Sequence, residues 1–161
     1  MTGQGLEVID HSVQVTHAWI NELAGRLDWS SKRNALRLLR VTLQRVRDHL
    51  PGDELAQFSA QVPLFVRGFL FEGWAPKRTL FEERTGREFV AKVDQLMADS
   101  SEYRGVEDIT CVFDLLNARL SAGEIEDVRA CLPHDLRALW PAPRPSVSRS
   151  AGAEDASPPW V

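Results

Sequence analysis

Apolar positions in this chain recur at steps of three and four residues, and no stretch alternates as a strand would. The clearest stripe is Leu36, Leu39, Leu43, Val46 and Leu50, one face of an amphipathic helix. Ahead of it, Val13, Thr16, Ile20, Leu23 and Leu27 mark a first helix that Ser12 is placed to cap. Trp29-Ser30-Ser31 breaks the two apart, and either serine can cap the second helix. Pro51-Gly52-Asp53-Glu54 turns the chain into a short third helix carrying Leu55 and Phe58. Pro63 then opens a fourth, through Val66 to about Phe71, which Gly73-Trp74-Ala75-Pro76 stops.

The pattern then starts again. Thr85-Gly86-Arg87-Glu88 has the form of a capping box, followed by Phe89, Val93 and Leu96. Val106, Ile109, Phe113, Leu116 and Leu120 repeat the stripe. Ser121-Ala122-Gly123-Glu124 reads as a second capping box, with Ile125 and Val128 beyond it. Pro133 opens a last helix carrying Leu136 and Leu139 and ending at Trp140-Pro141.

At an offset of 70 the two stretches align without a gap: Leu50, Glu54, Ala60, Pro63 and Arg67 fall on identical residues at 120, 124, 130, 133 and 137. The expectation is an all-α, compact helical bundle built from two pseudo-repeats of about four helices each. Residues 1–11 form a loose lead-in, 12–76 the first half, 77–140 the second, and the two halves make one domain. A single half of about 70 residues would bury only a marginal core. Residues 141–161 hold five of the nine prolines and four serines, and read as a disordered tail ending in Trp160-Val161.

The segments Glu54…Val62-Pro63…Val66-Arg67…Glu72-Gly73-Trp74-Ala75-Pro76 and Ser121-Ala122-Gly123-Glu124…Leu132-Pro133…Leu136-Arg137 resemble the bacterial domain-of-unknown-function family 2267. That family has two helical halves with a Gly-Glu…Leu-Pro…Leu-Arg signature, the first ending in Glu-Gly-Trp. The second half matches it fully. In the first, Asp53 stands where the signature has Gly, and Val62 where it has Leu. The resemblance spans residues 12–140 and implies an all-α bacterial protein, with no activity attached. Its signature residues here are Glu54, Pro63, Arg67, Trp74, Glu124, Pro133, Arg137 and Trp140, read as structural.

Composition narrows the function classes. The chain has 161 residues, 43% hydrophobic and 26% charged, as in an ordinary globular protein. No apolar run approaches the roughly 20 residues of a membrane span, so no membrane role is expected. The net charge is −4, so any nucleic-acid contact would need a local basic patch. Only Lys32, Lys77 and Lys92 are lysines; the other cations are arginines. Cys111 and Cys131 form no CxxC pair, and the first ten residues have no secretory character, so a cytoplasmic protein with free thiols is expected.

No catalytic or metal-binding motif is present, and no cofactor is expected. His11, His17, His49 and His134 are too scattered to share a metal, and Glu82-Glu83 and Glu126-Asp127 read as solvated acids. Glu54 with Arg67, and Glu124 with Arg137, are each 13 residues apart, which predicts a charge-assisted contact within each half. Arg33, Arg37, Arg40 and Arg47, with Gln44 among them, share a stripe about 100° from the apolar one, expected to face solvent. It could bind a polyanion or a partner, unless its arginines simply pair with neighbouring acids. The matching face of the second half carries Tyr103, Glu107, Thr110, Asp114 and Asn117, so the two faces differ in charge. The leading expectation is a non-catalytic protein-interaction or scaffold module, with an unknown protein partner or self-association. The alternative is a regulator binding nucleic acid through the arginine stripe.

Overall fold

The computed structural model describes residues 5–76 and 85–144. Among these, eight helices follow in order: α1 Glu7–Leu27, α2 Lys32–Arg47, α3 Gly52–Gln61, α4 Leu64–Phe71, α5 Gly86–Leu96, α6 Val106–Arg119, α7 Ala122–Cys131 and α8 His134–Arg137. No strand occurs among the described residues. The all-α helical bundle is therefore as the periodicity implies. The tail from residue 145 on, with Trp160, lies outside the described residues.

α2 is the axis of the molecule. It packs against α1, α4, α5 and α6, and it buries Ala35, Leu38, Leu39, Thr42, Leu43 and Val46. With neighbours on several sides its buried face is wider than the single stripe the sequence shows. Leu36, expected in the core, is only half-buried, and Leu38 takes the deeper place. Ser31 caps the helix by accepting from the Asn34 N–H at 3.1 Å. The turn before it is held from 72 residues away: Glu102 accepts from the Ser30 and Ser31 amides at 2.8 and 3.0 Å. These backbone bonds hold its carboxyl below the usual range.

α1 begins earlier than expected. The lead-in reading of residues 1–11 is corrected from Glu7 on, and Ser12 lies inside the helix, donating to the Val8 carbonyl. The signal is electrostatic rather than apolar: Glu7 and Asp10 sit in the first turn, where the helix macrodipole favours acids. Periodicity misses these turns because no described residue covers them; Val13, read as a core position, is exposed. Val106, read as the partner of Leu36 in the second stripe, is exposed as well.

The second half of the core gathers around aromatic rings. Trp140 stacks on Phe113 at 4.6 Å between centroids and 10° between planes. Its indole N–H donates to Asn117 Oδ1 at 2.8 Å, which satisfies the one polar atom of a fully buried ring. Phe89 lies 6.3 Å from Phe113, its ring tilted by 33°. The Thr85–Glu88 capping box forms with both bonds present. Gly86 next to it is there for space: a Cβ would meet the Asp135 carbonyl oxygen of α8 at 2.9 Å.

One local unit recurs at the offset of 70. Arg67 donates to the carbonyls of Ser59, Ala60 and Val62, and Arg137 to those of Arg129, Ala130 and Leu132. Each guanidinium thus satisfies carbonyls left over at the C-terminal end of the helix before it, α3 or α7. Pro63 and Pro133 occupy equivalent N-cap positions. The likeness covers α3–α4 and α7–α8. Elsewhere lengths diverge: α1 has 21 residues and α5 has 11.

Candidate functional site

The arginine stripe is largely built into the fold. Arg47 is only 4% exposed and donates to the Leu70 and Glu72 carbonyls at 2.8 and 2.7 Å. Arg40 pairs with Glu72 and lies 5.2 Å above the Phe69 ring. Arg37 pairs with Asp99 and donates to the Leu96 carbonyl. Gln44 donates to the Phe69 carbonyl. The expectation of a solvent-facing stripe is therefore corrected at Arg47, while the Arg37 and Arg40 side chains, each paired with an acid, stay 40 and 39% exposed. The ends of α4 and α5 lie beside it: Arg37 and Arg47 satisfy free carbonyls there, and Arg40 pairs with the Glu72 carboxylate. Arg33 is the exposed member. On the matching face of α6, Asn117 is committed to Trp140 and the Pro141 carbonyl; in the loop before α6, the Tyr103 hydroxyl donates to Asp94.

The predicted Glu54–Arg67 and Glu124–Arg137 contacts do not form. Both arginines turn to backbone carbonyls, and the two glutamates turn to each other. The cause lies in the caps. Glu54 is the third residue of α3, but the N-cap is Pro51, which has no N–H for it to accept from. Glu124 is the third residue of α7, and Ser121 Oγ does accept from its amide at 3.2 Å. The return bond is missing. The Ser121 N–H donates instead to Gln61 Oε1, at the end of α3, at 3.3 Å. The second capping box is thus only half made. Both carboxylates are released into the seam where α3 packs on α7.

There Glu54, Glu124 and Asp127 bring carboxylate oxygens within 4.8 Å of one another. Glu124 is only 6% exposed, and one oxygen of Glu124 and one of Glu54 are buried without a donor. As two carboxylates neither has a hydrogen to offer the other; one proton placed between them supplies it. Burial, the Glu54 hydrogen bond and the charges of Glu54 and Asp127 push the Glu124 carboxyl up to about 7. Asp53 adds a fourth acid at the margin: burial first, then the charges of Glu54, Asp53, Asp127 and Glu124, raise the Cys131 thiol. Among the described residues no lysine, arginine or histidine is ion-paired to any of these four acids.

Among the described residues, the seam rather than the arginine stripe is where charge is concentrated without an ion-paired counter-charge. The offset of 70 places Glu54 on Glu124 in the sequence. That they meet depends on how α3 crosses α7, which no spacing encodes.

The model of a protein family described as an uncharacterized conserved protein, DUF2267, matches residues 16–139. The chain belongs to the DUF2267 family. No curated protein matches it. The region shared with DUF2267 contains the whole α3–α7 seam. It leaves out the first turns of α1, where Leu6, Ile9 and Val13 are exposed. No described helix is long and apolar enough to cross a membrane.

One other buried charge in this DUF2267 member is structural. Asp108, fully buried, accepts from Arg104 Nη2 at 2.7 Å and from the Arg104 amide at 2.6 Å. Arg104 reaches on to the Leu27 carbonyl and so ties α6 to the end of α1. Cys111 and Cys131 are free and half-buried. Since Arg67 touches no carboxylate among the described residues, the Glu54→Ala and Arg67→Ala stability changes are expected to add within about 0.5 kcal/mol in a double-mutant cycle. A coupling of 1 kcal/mol or more, on the order expected of a charged hydrogen bond, would contradict this geometry.

Proposed function

We propose that this chain is a non-catalytic protein-interaction module that docks the first turns of α1 into an apolar groove of a partner protein. The observation that carries the reading is the row Leu6, Ile9 and Val13, exposed by 51, 48 and 37%. These positions are spaced as the anchors of an amphipathic helix laid into a groove. Downstream, Trp19, Ile20, Leu23 and Leu27 are buried, so the same helix is fixed to the body and presents its start rigidly. The thiols support the absence of nucleophilic catalysis. Burial and nearby carboxylates raise both Cys111 and Cys131, which makes the reactive thiolate scarce. A reducing cytoplasm suits two free cysteines.

The test compares capture by the full chain and by its Leu6→Asp/Ile9→Asp variant, at low and high salt. A protein held by the wild type at both salts and released by the variant is the expected result. The same protein held equally by both chains would overturn the reading. Nucleic acid captured only at low salt, and lost on Arg33→Glu, would replace it with the polyanion alternative. Concentration-dependent sedimentation, abolished in the variant, would identify the partner as a second copy.

A further inference from the structure

We propose that the α3–α7 seam is a binding site for one hard divalent cation, held by Glu54, Glu124 and Asp127. The three side chains offer oxygens that already lie within 4.8 Å of one another, close enough to share one ion. The donor set is all carboxylate, which selects Mg²⁺, Mn²⁺ or Ca²⁺ over softer metals. Two helices supply the ligands, Glu54 from α3 and Glu124 with Asp127 from α7.

The cluster alone would say little, since acids often gather on surfaces. The buried member says more. Glu124 is more than nine-tenths buried, and its Oε1 is shut off from water without a hydrogen-bond donor. Glu54 Oε1, facing the same seam, is in the same condition. Buried oxygens without donors cost stability unless something positive fills the place between them. Magnitudes point the same way. Three acids meet here without an ion-paired cation among the described residues. The N-terminal ends of α3 and α7 supply only about half a positive charge each. A deficit of roughly two charges remains, more than a proton removes and what a divalent ion offsets. With three protein carboxylates the remaining coordination positions fall to water, as is usual for Mg²⁺ and Mn²⁺.

The cap chemistry explains why these side chains are available. Pro51 denies Glu54 a capping bond, and Gln61 occupies the Ser121 amide that Glu124 would otherwise accept from. The two glutamates are therefore held in the seam rather than spent on their own helices.

The experiment is titration of the full chain, stripped of metals with a chelator, with MnCl₂, MgCl₂ and CaCl₂ at pH 8. Binding is read by calorimetry and by the loss of the free Mn²⁺ paramagnetic signal; thermal unfolding is followed alongside. One equivalent of Mn²⁺ is expected to bind. At a hundredfold excess over Kd the folded-to-unfolded ratio should rise about a hundredfold. Glu124→Gln and Asp127→Asn should each weaken binding at least tenfold, while Glu126→Gln, one residue away and paired with Arg129, should bind like the wild type. No saturable binding by the wild type at pH 8 would overturn the proposal. So would equal binding by Glu124→Gln, or equal loss in Glu126→Gln, which would mark diffuse attraction to a negative surface.

Discussion

In buffer free of divalent cations, Glu124→Gln is expected to make the protein more stable at pH 8, by about 1–3 kcal/mol. The native environment raises the Glu124 carboxyl to about 7, well above its ordinary value. Between the unfolded and folded values the native state therefore binds the extra proton. Stability from this group is full below about pH 4.5 and is lost as the pH climbs to about 7. Above that the native state must carry a charged carboxylate against Glu54 and Asp127. Glutamine removes the charge and brings an N–H₂ that can donate to Glu54, whose buried Oε1 has no donor among the described residues. Urea unfolding at pH 5 and pH 8 checks both parts. The wild type should lose stability between the two, and the variant should lose less. A variant less stable than wild type at pH 8 would mean that the Glu124 charge is compensated in the fold.

The largest loss is expected at Trp140, whose carbonyl accepts from Arg129 of α7 at 3.0 Å. Trp140→Ala should cost about 3–5 kcal/mol, the range for removing a large buried aromatic side chain. It empties the space stacked on Phe113 and leaves Asn117 Oδ1 without the indole donor. Against a total stability of roughly 5–15 kcal/mol for a chain of this kind, that brings the fold near its limit. Trp140→Phe keeps a ring against Phe113 and should cost clearly less. Leu64→Ala, at an exposed site of α4, should change stability by no more than about 0.5 kcal/mol. A Trp140→Ala loss as small as that of Leu64→Ala would contradict the placement of this ring at the centre of the second half.

These two sites differ in how far the sequence reveals them. Helix order, the Ser31 cap, the Thr85–Glu88 capping box and most core positions follow from periodicity and local chemistry, because both act over a single turn. Arg67 and Arg137 are legible as a matched pair but not in their role. Sequence spacing offered them two acids, and the fold gave them the carbonyl ends of α3 and α7. The start of α1 escaped periodicity because Leu6, Ile9 and Val13 face outward, leaving only Glu7 and Asp10 as local evidence. The arginine stripe misled because an angle on one helix says nothing about what lies over it. Arg47 is polar by type and buried in fact, its charge satisfied by carbonyls at the end of α4.

The seam is the least legible part. Glu124 looks like the closing residue of a capping box, and in isolation α7 would use it so. Gln61, 60 residues earlier, takes over the Ser121 amide and changes its role. Sequence could have raised one warning: Pro51 leaves Glu54 without a capping partner, so a first-turn glutamate there must go elsewhere. The second half, with Ser121, gives no such sign.

The most direct test of the account is the titration of the Glu124 side-chain carboxyl carbon by NMR, in cation-free buffer. The paired, buried carboxyl described here should change its shift with a midpoint near pH 7. A midpoint near the ordinary glutamate value of about 4.3 would mean that Glu124 does not face Glu54 in a closed seam, and the candidate site would go with it.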